Sequence, residues 1–271
     1  MSIRRRQKPL LGTFVEIAAM GETNFADNAI TKAFETINEV QRLASFQDGT
    51  SELSRLNIGG AFISINPLLK RMLRLARAMT NRSNGLFNCT LGGALIHQNI
   101  LPDHGGPSAA ACGTANDIEF RGAHVILHNR VRITLDGIAK GFAVDLAVQT
   151  LKHHGIESGF VNAGGDVRAF GMSLPIAIRA FDGGLLQAGS LRDTAIATSR
   201  VGDLPDERFP GVILSASGHA PQSGVWSVVA AQAWRADALT KVAALAPANE
   251  RDRLIRSLKG SLLPQPVAQV A

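Results

Sequence analysis

Apolar and polar positions alternate near the start of the chain and then change to a helical spacing. The stretch 12–19 alternates and therefore predicts a strand. After it, apolar residues recur at three- and four-residue intervals as far as Ala44, which predicts a helix beginning at Thr23 or Asn24. A strand followed by a long amphipathic helix is thus the predicted start of the fold.

Two further helix starts carry their own capping signals. Ser51 precedes a short apolar turn, and Asn66 followed by Pro67 is a typical N-cap and first helical residue. From Pro67 to about residue 79 the apolar positions again follow one helical face. We therefore expect a short helix after Ser51 and a longer one after Asn66.

Short apolar runs bounded by turn residues predict strands in the second half of the chain. A hairpin is expected between residues 125–127 and 131–135. Further strands are predicted at 174–180, 185–189, 194–198 and 225–231, and helices at 235–244 and 249–258. Because strands, hairpins and helices are mixed, we predict an α+β fold with mixed, mainly antiparallel sheets and packed helices.

Length and composition are those of a soluble globular chain. The 271 residues are 45% hydrophobic and 18% charged, which allows one large domain or two intimate lobes. The two cysteines, Cys89 and Cys112, suggest neither a disulfide framework nor a zinc site. No signal peptide, lipid anchor or membrane span is visible, so the expected compartment is the cytoplasm. We expect a single domain over 1–271, with a flexible excursion at 102–116 and a loose tail at 259–271.

The formal net charge of +6 favours anionic partners without naming one. Arginines near the start of the chain and at positions 71 to 82 could contact phosphate. A nucleic-acid-binding protein is therefore a remote alternative, although no nucleic-acid motif accompanies the charge and aromatic residues are scarce. We expect no nucleic-acid partner.

Two blocks between residues 135 and 171 carry the chemistry. The first, LDGIAKGFAVD, places Asp136, Lys140 and Asp145 around the start of a helix, where free backbone donors and the helix dipole favour a negatively charged ligand. The second, VNAGGDVRAFG, supplies a glycine turn and the short carboxylate of Asp166. Together they indicate an anion-binding site.

The chain resembles the FAD:protein FMN transferase family, also called ApbE. The resemblance rests on blocks that occur in the family's order over almost the whole chain: LGT at 11–13, SELSRLN at 51–57, SNGLFNCT, LDGIAKGFAVD, VNAGGDVRAFG, ATS at 197–199 and ADALTK at 236–241. It implies two intimate lobes with a ligand cleft between them. It also implies transfer of the FMN half of FAD to a Thr or Ser hydroxyl of an acceptor protein, with release of AMP and assistance by Mg²⁺.

The resemblance also implies which side chains take part. The metal ligands would be the Ala139 carbonyl and the Asp237 carboxylate, and Asp237, Lys140 and Lys241 would be the catalytic groups. Three alternatives are open beside Asp237: Thr240 completes the metal ligands, Lys241 places an ammonium group where cationic charge is needed, or Asp237 and Lys241 form an ordinary helix pair. The residues implied as flavin contacts are Leu11, Phe46, Leu86, Phe87, Asn88, Asp136, Lys140, Phe142 and Asp166.

The chain departs from the family pattern at several positions. Lys241 occupies the place of a Thr that is a metal ligand in the family, and Asn88 replaces an Asp. Gly211 and Leu214 replace a His and an Asp of an HIIDPRTG-like segment, with His219 nearby but shifted. These departures leave two hypotheses open, an active flavin transferase and a catalytically impaired FAD-binding relative.

Overall fold

The computed structural model describes residues 2–59, 63–202 and 212–265. Within these ranges the chain forms two compact units. The first unit is formed by residues 2–38, 140–202, 212–213 and 221–265, and the second by residues 39–59, 63–139 and 214–220.

Seven α-helices lie in the described ranges. Their bounds are α1 Thr23–Ala44, α2 Glu52–Gly59, α3 Pro67–Arg82, α4 Gly92–His97, α5 Ala139–His153, α6 Ala233–Leu245 and α7 Arg251–Ser257. None of them is both long enough and apolar enough to cross a membrane.

The described residues also form twelve strands. Their bounds are β1 Ser2–Leu10, β2 Thr13–Gly21, β3 Ile63–Ser64, β4 Ile118–Arg121, β5 His124–Leu127, β6 Gly159–Ala163, β7 Asp166–Phe170, β8 Ser173–Arg179, β9 Leu185–Arg192, β10 Ala195–Val201, β11 Gly224–Ala230 and β12 Gly260–Leu262.

The first unit is built on a seven-stranded sheet with the order β1-β2-β6-β7-β10-β11-β12. Every neighbouring pair in this sheet is antiparallel. Apolar side chains from β2, β6, β7 and β10, among them Ala18, Phe160 and Ile196, form a buried cluster with Leu191 of β9. The predicted α+β fold with mainly antiparallel sheets is confirmed.

A two-glycine turn joins β6 to β7 and fixes the position of Asp166. Gly164 and Gly165 have φ values of 61° and 99°, in the region that favours glycine, and Ala163 pairs directly with Asp166 across the turn. The Asn162 side chain accepts a hydrogen bond from the Gly165 N–H at 3.0 Å. The turn therefore places Asp166 at the first position of β7.

The predicted helix starts are confirmed. The Ser51 Oγ accepts from the Ser54 N–H at 3.0 Å, and the Asn66 Oδ1 accepts from the Leu68 N–H at 2.8 Å, so both residues act as caps. The later strand and helix predictions also agree with β8 to β11, α6 and α7 within a few residues.

The predicted hairpin between residues 125–127 and 131–135 is wrong. β5 instead forms a hairpin with β4, which precedes it, and pairs with β3 on its other side. The turn between β4 and β5 contains Gly122 at a φ of 54°, which a glycine adopts at low cost. Residues 131–135 form no strand, and Arg132 contributes one isolated bridge to Leu91.

Two further regions had expectations of their own. Within the expected excursion at 102–116, residues 102–114 contain neither helix nor strand, and backbone and side-chain hydrogen bonds are made at Gly105, Pro107, Ala110, Ala111 and Gly113. Within the tail expected at 259–271, Gly260–Leu262 form β12 and pair with β11. Residues 266–271 lie outside the described residues.

Candidate functional site

The helices α5 and α6 cap each other's first turns. Asp237 of α6 accepts from the Gly141 N–H of α5 at 3.4 Å. In the opposite direction, Asp145 of α5 accepts from the N–H groups of Ala233 and Trp234, the first residues of α6, at 3.0 Å each. Each carboxylate thus meets unpaired backbone donors and the positive end of a helix dipole.

Gly141 allows the two helices to approach this closely. A side-chain carbon at position 141 would lie 2.4 Å from the Ala233 carbonyl oxygen, well inside van der Waals contact. The glycine of the IAKG element therefore has a packing role in addition to any contact with a ligand. It brings the start of α5 to the helix that carries Asp237.

A four-membered acid–lysine cluster lies beside this crossing. The Lys140 ammonium donates to the Asp166 Oδ2 at 3.2 Å. Lys241 donates to the Asp237 Oδ1 one helical turn earlier. The Asp166 and Asp237 side chains are 2% and 1% exposed, whereas those of Lys140 and Lys241 are 33% and 21% exposed, so the acids are buried and the lysines lead toward solvent.

The two acids differ in their electrostatics. Burial, and after it the nearby charge of Asp237, raise the pKa of Asp166 to about 7 against the opposing lysine charges. Burial also acts to raise the pKa of Asp237, but Lys241, Lys140 and the Gly141 N–H outweigh it and lower that pKa below its usual value. Asp237 is therefore the acid that stays ionised at neutral pH.

Thr240 lies on α6 next to Asp237 and is held by a second strand. Its hydroxyl donates to the Asp237 backbone carbonyl at 2.7 Å and lies 2.7 Å from the Ser199 hydroxyl of β10. Because the single Thr240 proton goes to the carbonyl, Ser199 is the donor in the second bond. One lone pair of the Thr240 oxygen then remains for a further partner.

The sequence-derived metal ligands do not form a cluster of several acids or histidines. Within the described residues, no group of three or more His, Cys, Asp or Glu side chains is placed to hold a metal ion. Asp237 and Thr240 are brought together on α6, and Ala139 begins α5 two residues before Gly141. The donors that the resemblance implies are thus one carboxylate and one hydroxyl, both on α6, and the backbone carbonyl of Ala139.

The predicted flavin contacts divide between the two units. Leu11 lies in the β1–β2 turn at a φ of 56°, and Phe142 is buried in α5, both in the first unit with Lys140 and Asp166. The others, Phe46, Leu86, Phe87, Asn88 and Asp136, belong to the second unit.

Within the second unit, several of these residues have structural partners. The Phe46 ring is buried in an apolar cluster with Leu95 and Leu101, and its carbonyl oxygen lies 2.7 Å from the His104 Nε2. Asn88 accepts from the N–H and hydroxyl of Thr90 and donates to the Gly113 carbonyl at 3.0 Å. Replacing the family's Asp by Asn therefore gives a side chain that donates as well as accepts, and it uses both capacities.

The segment that departs from HIIDPRTG is partly described. Leu214 packs against the Phe46, Leu95 and Leu101 cluster. The position where the family has an acid is therefore occupied by an apolar residue with apolar neighbours. His219 is exposed, and its Nδ1 lies 2.7 Å from the Ser217 hydroxyl. Gly211 lies outside the described residues.

Two residues of the site have roles that differ from the sequence interpretation. The sequence places Asp145 around the start of α5, but in the structure it caps α6 and pairs with Arg168 of β7. Ser199 was known only as part of the ATS block, and its bond to Thr240 was missed. The late position of Asp145 in its helix, well beyond the first turn, was the signal that it could not act at the helix start.

Fold and site together define a class, an α+β protein in which two crossing helix starts hold a buried acid–lysine cluster. The model of the ApbE family matches residues 11–263. This match covers most of the chain, so the chain belongs to the ApbE family.

Two curated relatives carry the name FAD:protein FMN transferase. The protein of Rhodobacter capsulatus is 33% identical over 160 residues, which are 52% of this chain and 31% of that protein. The protein of Treponema pallidum (strain Nichols) is 26% identical over 186 residues, or 62% of this chain and 51% of that protein. The matched part of the chain thus spans about a third to about half the length of these relatives.

Solved ApbE structures have the same fold. The ApbE protein of Thermotoga maritima gives a TM-score of 0.82 at 23% identity, covering 99% of this chain and 97% of its own. The apo form of the Pseudomonas stutzeri flavinyl transferase ApbE gives 0.80 at 16% identity, covering 97% and 94%. The flavin transferase ApbE of Vibrio cholerae gives 0.78 at 19% identity, covering 99% and 97%.

Proposed function

We propose that this protein transfers the FMN moiety of FAD to a Thr or Ser hydroxyl of an acceptor protein and releases AMP. The observation that carries the proposal is the acid–lysine cluster, because three of its members come from three separate blocks that resemble the flavin transferase family: Lys140, Asp166 and Asp237. The names of the two curated relatives support the same activity.

The reaction is a displacement at phosphorus. The acceptor hydroxyl oxygen forms a bond to the FMN phosphorus, the bond from that phosphorus to the oxygen bridging to the AMP half breaks, and the hydroxyl proton is released. Negative charge grows on the phosphate oxygens, so positioning and charge neutralisation are the main tasks of the site. Lys140 and Lys241 are partly exposed ammonium groups that can meet this charge.

The residues present also fit a magnesium ion in their chemistry. Asp237 is a buried carboxylate that stays ionised, and Thr240 keeps a free lone pair, so both offer the oxygen donors that a hard cation prefers. We propose Asp237, Thr240 and the Ala139 carbonyl as its ligands. When bound, the ion would neutralise phosphate charge.

The flavin contacts remain part of this proposal. Leu11, Lys140, Phe142 and Asp166 are proposed contacts from the first unit. Those proposed from the second unit are Phe46, Leu86, Phe87, Asn88 and Asp136.

Release of AMP from FAD tests the proposed reaction. Purified protein with FAD, Mg²⁺ and an acceptor should release AMP, and Asp237→Ala should abolish the release, because it removes the ionised carboxylate of the cluster. Asp252→Ala is the control, since Asp252 lies in an exposed surface pair with Arg256. Folding of each variant is checked by circular dichroism, and Asp237→Asn serves if the alanine variant does not fold. Turnover that is unchanged in a folded Asp237 variant would overturn the role of Asp237.

A catalytically impaired FAD-binding relative is the competing outcome of this assay. It predicts saturable FAD binding without release of AMP at any magnesium concentration.

A further inference from the structure

We propose that the Lys241 ammonium group and a divalent cation compete for the Asp237 carboxylate, so that Lys241 sets how tightly this protein binds magnesium. The inference rests on the proposed function, since magnesium enters only through it. It adds that the Lys241 ammonium group is an alternative to the metal ion as the cation on Asp237.

The carboxylate already has a cationic partner. Lys241 donates to the Asp237 Oδ1, and the Gly141 N–H donates to Oδ2 at 3.4 Å. Asp237 is completely buried. Bulk water therefore does not screen the repulsion between an arriving cation and the Lys241 ammonium group. A divalent ion on the same carboxylate would lie beside a like charge, and one of the two cations has to move away.

With both acids ionised, the charges of the cluster balance without a metal. Asp166 and Asp237 supply two negative charges when both are ionised, and Lys140 and Lys241 supply two positive charges. Each lysine charge acts on both acids, because Lys140 and Lys241 each lower the pKa of Asp166 and of Asp237. A divalent ion added to this arrangement creates an excess of positive charge, whereas loss of the Lys241 charge leaves a net negative site.

The position of Lys241 allows its ammonium group to be displaced from the Asp237 carboxylate. Lys241 lies four residues after Asp237 on α6, so its ammonium group can reach the carboxylate within one helical turn. Its side chain is 21% exposed, which gives the long aliphatic stem a route to solvent when the ammonium group is displaced. Thr240, on the same turn, retains an oxygen lone pair for an incoming cation.

Direct metal titration of the full chain tests the competition. Calorimetry with Mg²⁺ should show that Lys241→Met binds the ion more tightly than the wild type by about 5-fold to 150-fold, the usual range for coupled sites. Lys241→Thr should also bind more tightly. The matched control is Lys32→Met, which removes an exposed ammonium group bonded to Glu35 at 2.8 Å on α1 and should leave the affinity unchanged.

Two results would overturn the proposal. One is a Mg²⁺ affinity of Lys241→Met equal to or weaker than that of the wild type. The other comes from the wild type itself: Mg²⁺ should speed acetylation of Lys241 by acetic anhydride, read by peptide mass spectrometry with Lys32 as the internal reference. An unchanged Lys241 rate at saturating Mg²⁺ contradicts the competition even if no Lys241 variant folds.

These readouts separate the inference from the proposed function. Tighter metal binding by Lys241→Met in a protein that never releases AMP would support the competition and refute flavin transfer. Active release of AMP with an unchanged metal affinity would support flavin transfer and refute the competition.

Discussion

Loss of the Asp145 side chain should destabilise the protein severely, although Asp145 is not expected to touch any ligand. Its carboxylate caps the first two N–H groups of α6 at 3.0 Å each and pairs with Arg168. Both side chains are largely buried, with 6% of Asp145 and 18% of Arg168 exposed. Asp145→Ala therefore removes a helix cap and leaves a buried guanidinium group without its partner.

The magnitude follows from these two losses. A helix cap contributes about 1–2 kcal/mol, and removing one member of a buried ion pair costs about 3–5 kcal/mol. Because the two losses share one side chain, we expect about 3–5 kcal/mol in total. Burial raises the pKa of Asp145 despite the hydrogen bonds from Trp234 and Ala233 and the charge of Arg168, so the cost of the variant comes from the orphaned partners rather than from a favourable buried charge.

Urea unfolding followed by circular dichroism measures the loss. Asp145→Asn keeps an oxygen acceptor for the cap and should lose less than Asp145→Ala. The double variant Asp145→Ala/Arg168→Met should recover part of the loss, because no uncompensated charge is left. Asp252→Ala is the control, since it breaks an exposed Asp–Arg pair worth about 0.2–1 kcal/mol. A change within about 0.5 kcal/mol for Asp145→Ala, as for an ordinary surface substitution, would refute this reasoning.

Two further predictions follow from the packing. Gly141→Ala should cost about 1–3 kcal/mol of unfolding free energy, because the added carbon would lie 2.4 Å from the Ala233 carbonyl oxygen. A urea midpoint of this variant equal to that of the wild type would show that the two helices can separate without cost. Under native conditions a thiol reagent should label Cys112 rapidly and Cys89 slowly, because Cys112 is exposed whereas burial raises the pKa of Cys89 to about 11; two equally fast thiols would contradict this.

The sequence predicts local elements well where the signal is local. Asn66 with Pro67, the capping serine Ser51 and the glycine pair at 164–165 each specify a helix start or turn through their own backbone chemistry, and the structure has these features. The hairpin predicted between residues 125–127 and 131–135 is wrong because residues 131–135 have strand-like composition but form no strand. The glycine that allows the turn lies at position 122, on the other side of β5.

The site is harder to predict because its bonds join residues that are distant in sequence. The pairing of Asp145 with the start of α6 spans 88 residues, and that of Ser199 with Thr240 spans 41. No local pattern reports such contacts, since they depend on how α5, α6 and β10 pack. Lys140 with Asp166 is a partial exception, because both belong to neighbouring motif blocks that the sequence assigns to one anion-binding site.

The resemblance to the family identifies the residues of the cluster but not their partners. Asp237 and Lys241 are four apart on a helix, so a pair between them could be anticipated. That Asp237 also meets the Gly141 N–H follows only from the helix crossing. The reciprocal capping of α5 and α6 is therefore a finding of the structure.

The most direct test of the central claim is the mass of an acceptor protein after incubation with this protein, FAD and Mg²⁺. Intact-mass and peptide mass spectrometry should show one FMN phosphoester added to a Thr or Ser of the acceptor, with AMP released in equal amount. An acceptor of unchanged mass, in a reaction where the protein demonstrably binds FAD, would contradict the account.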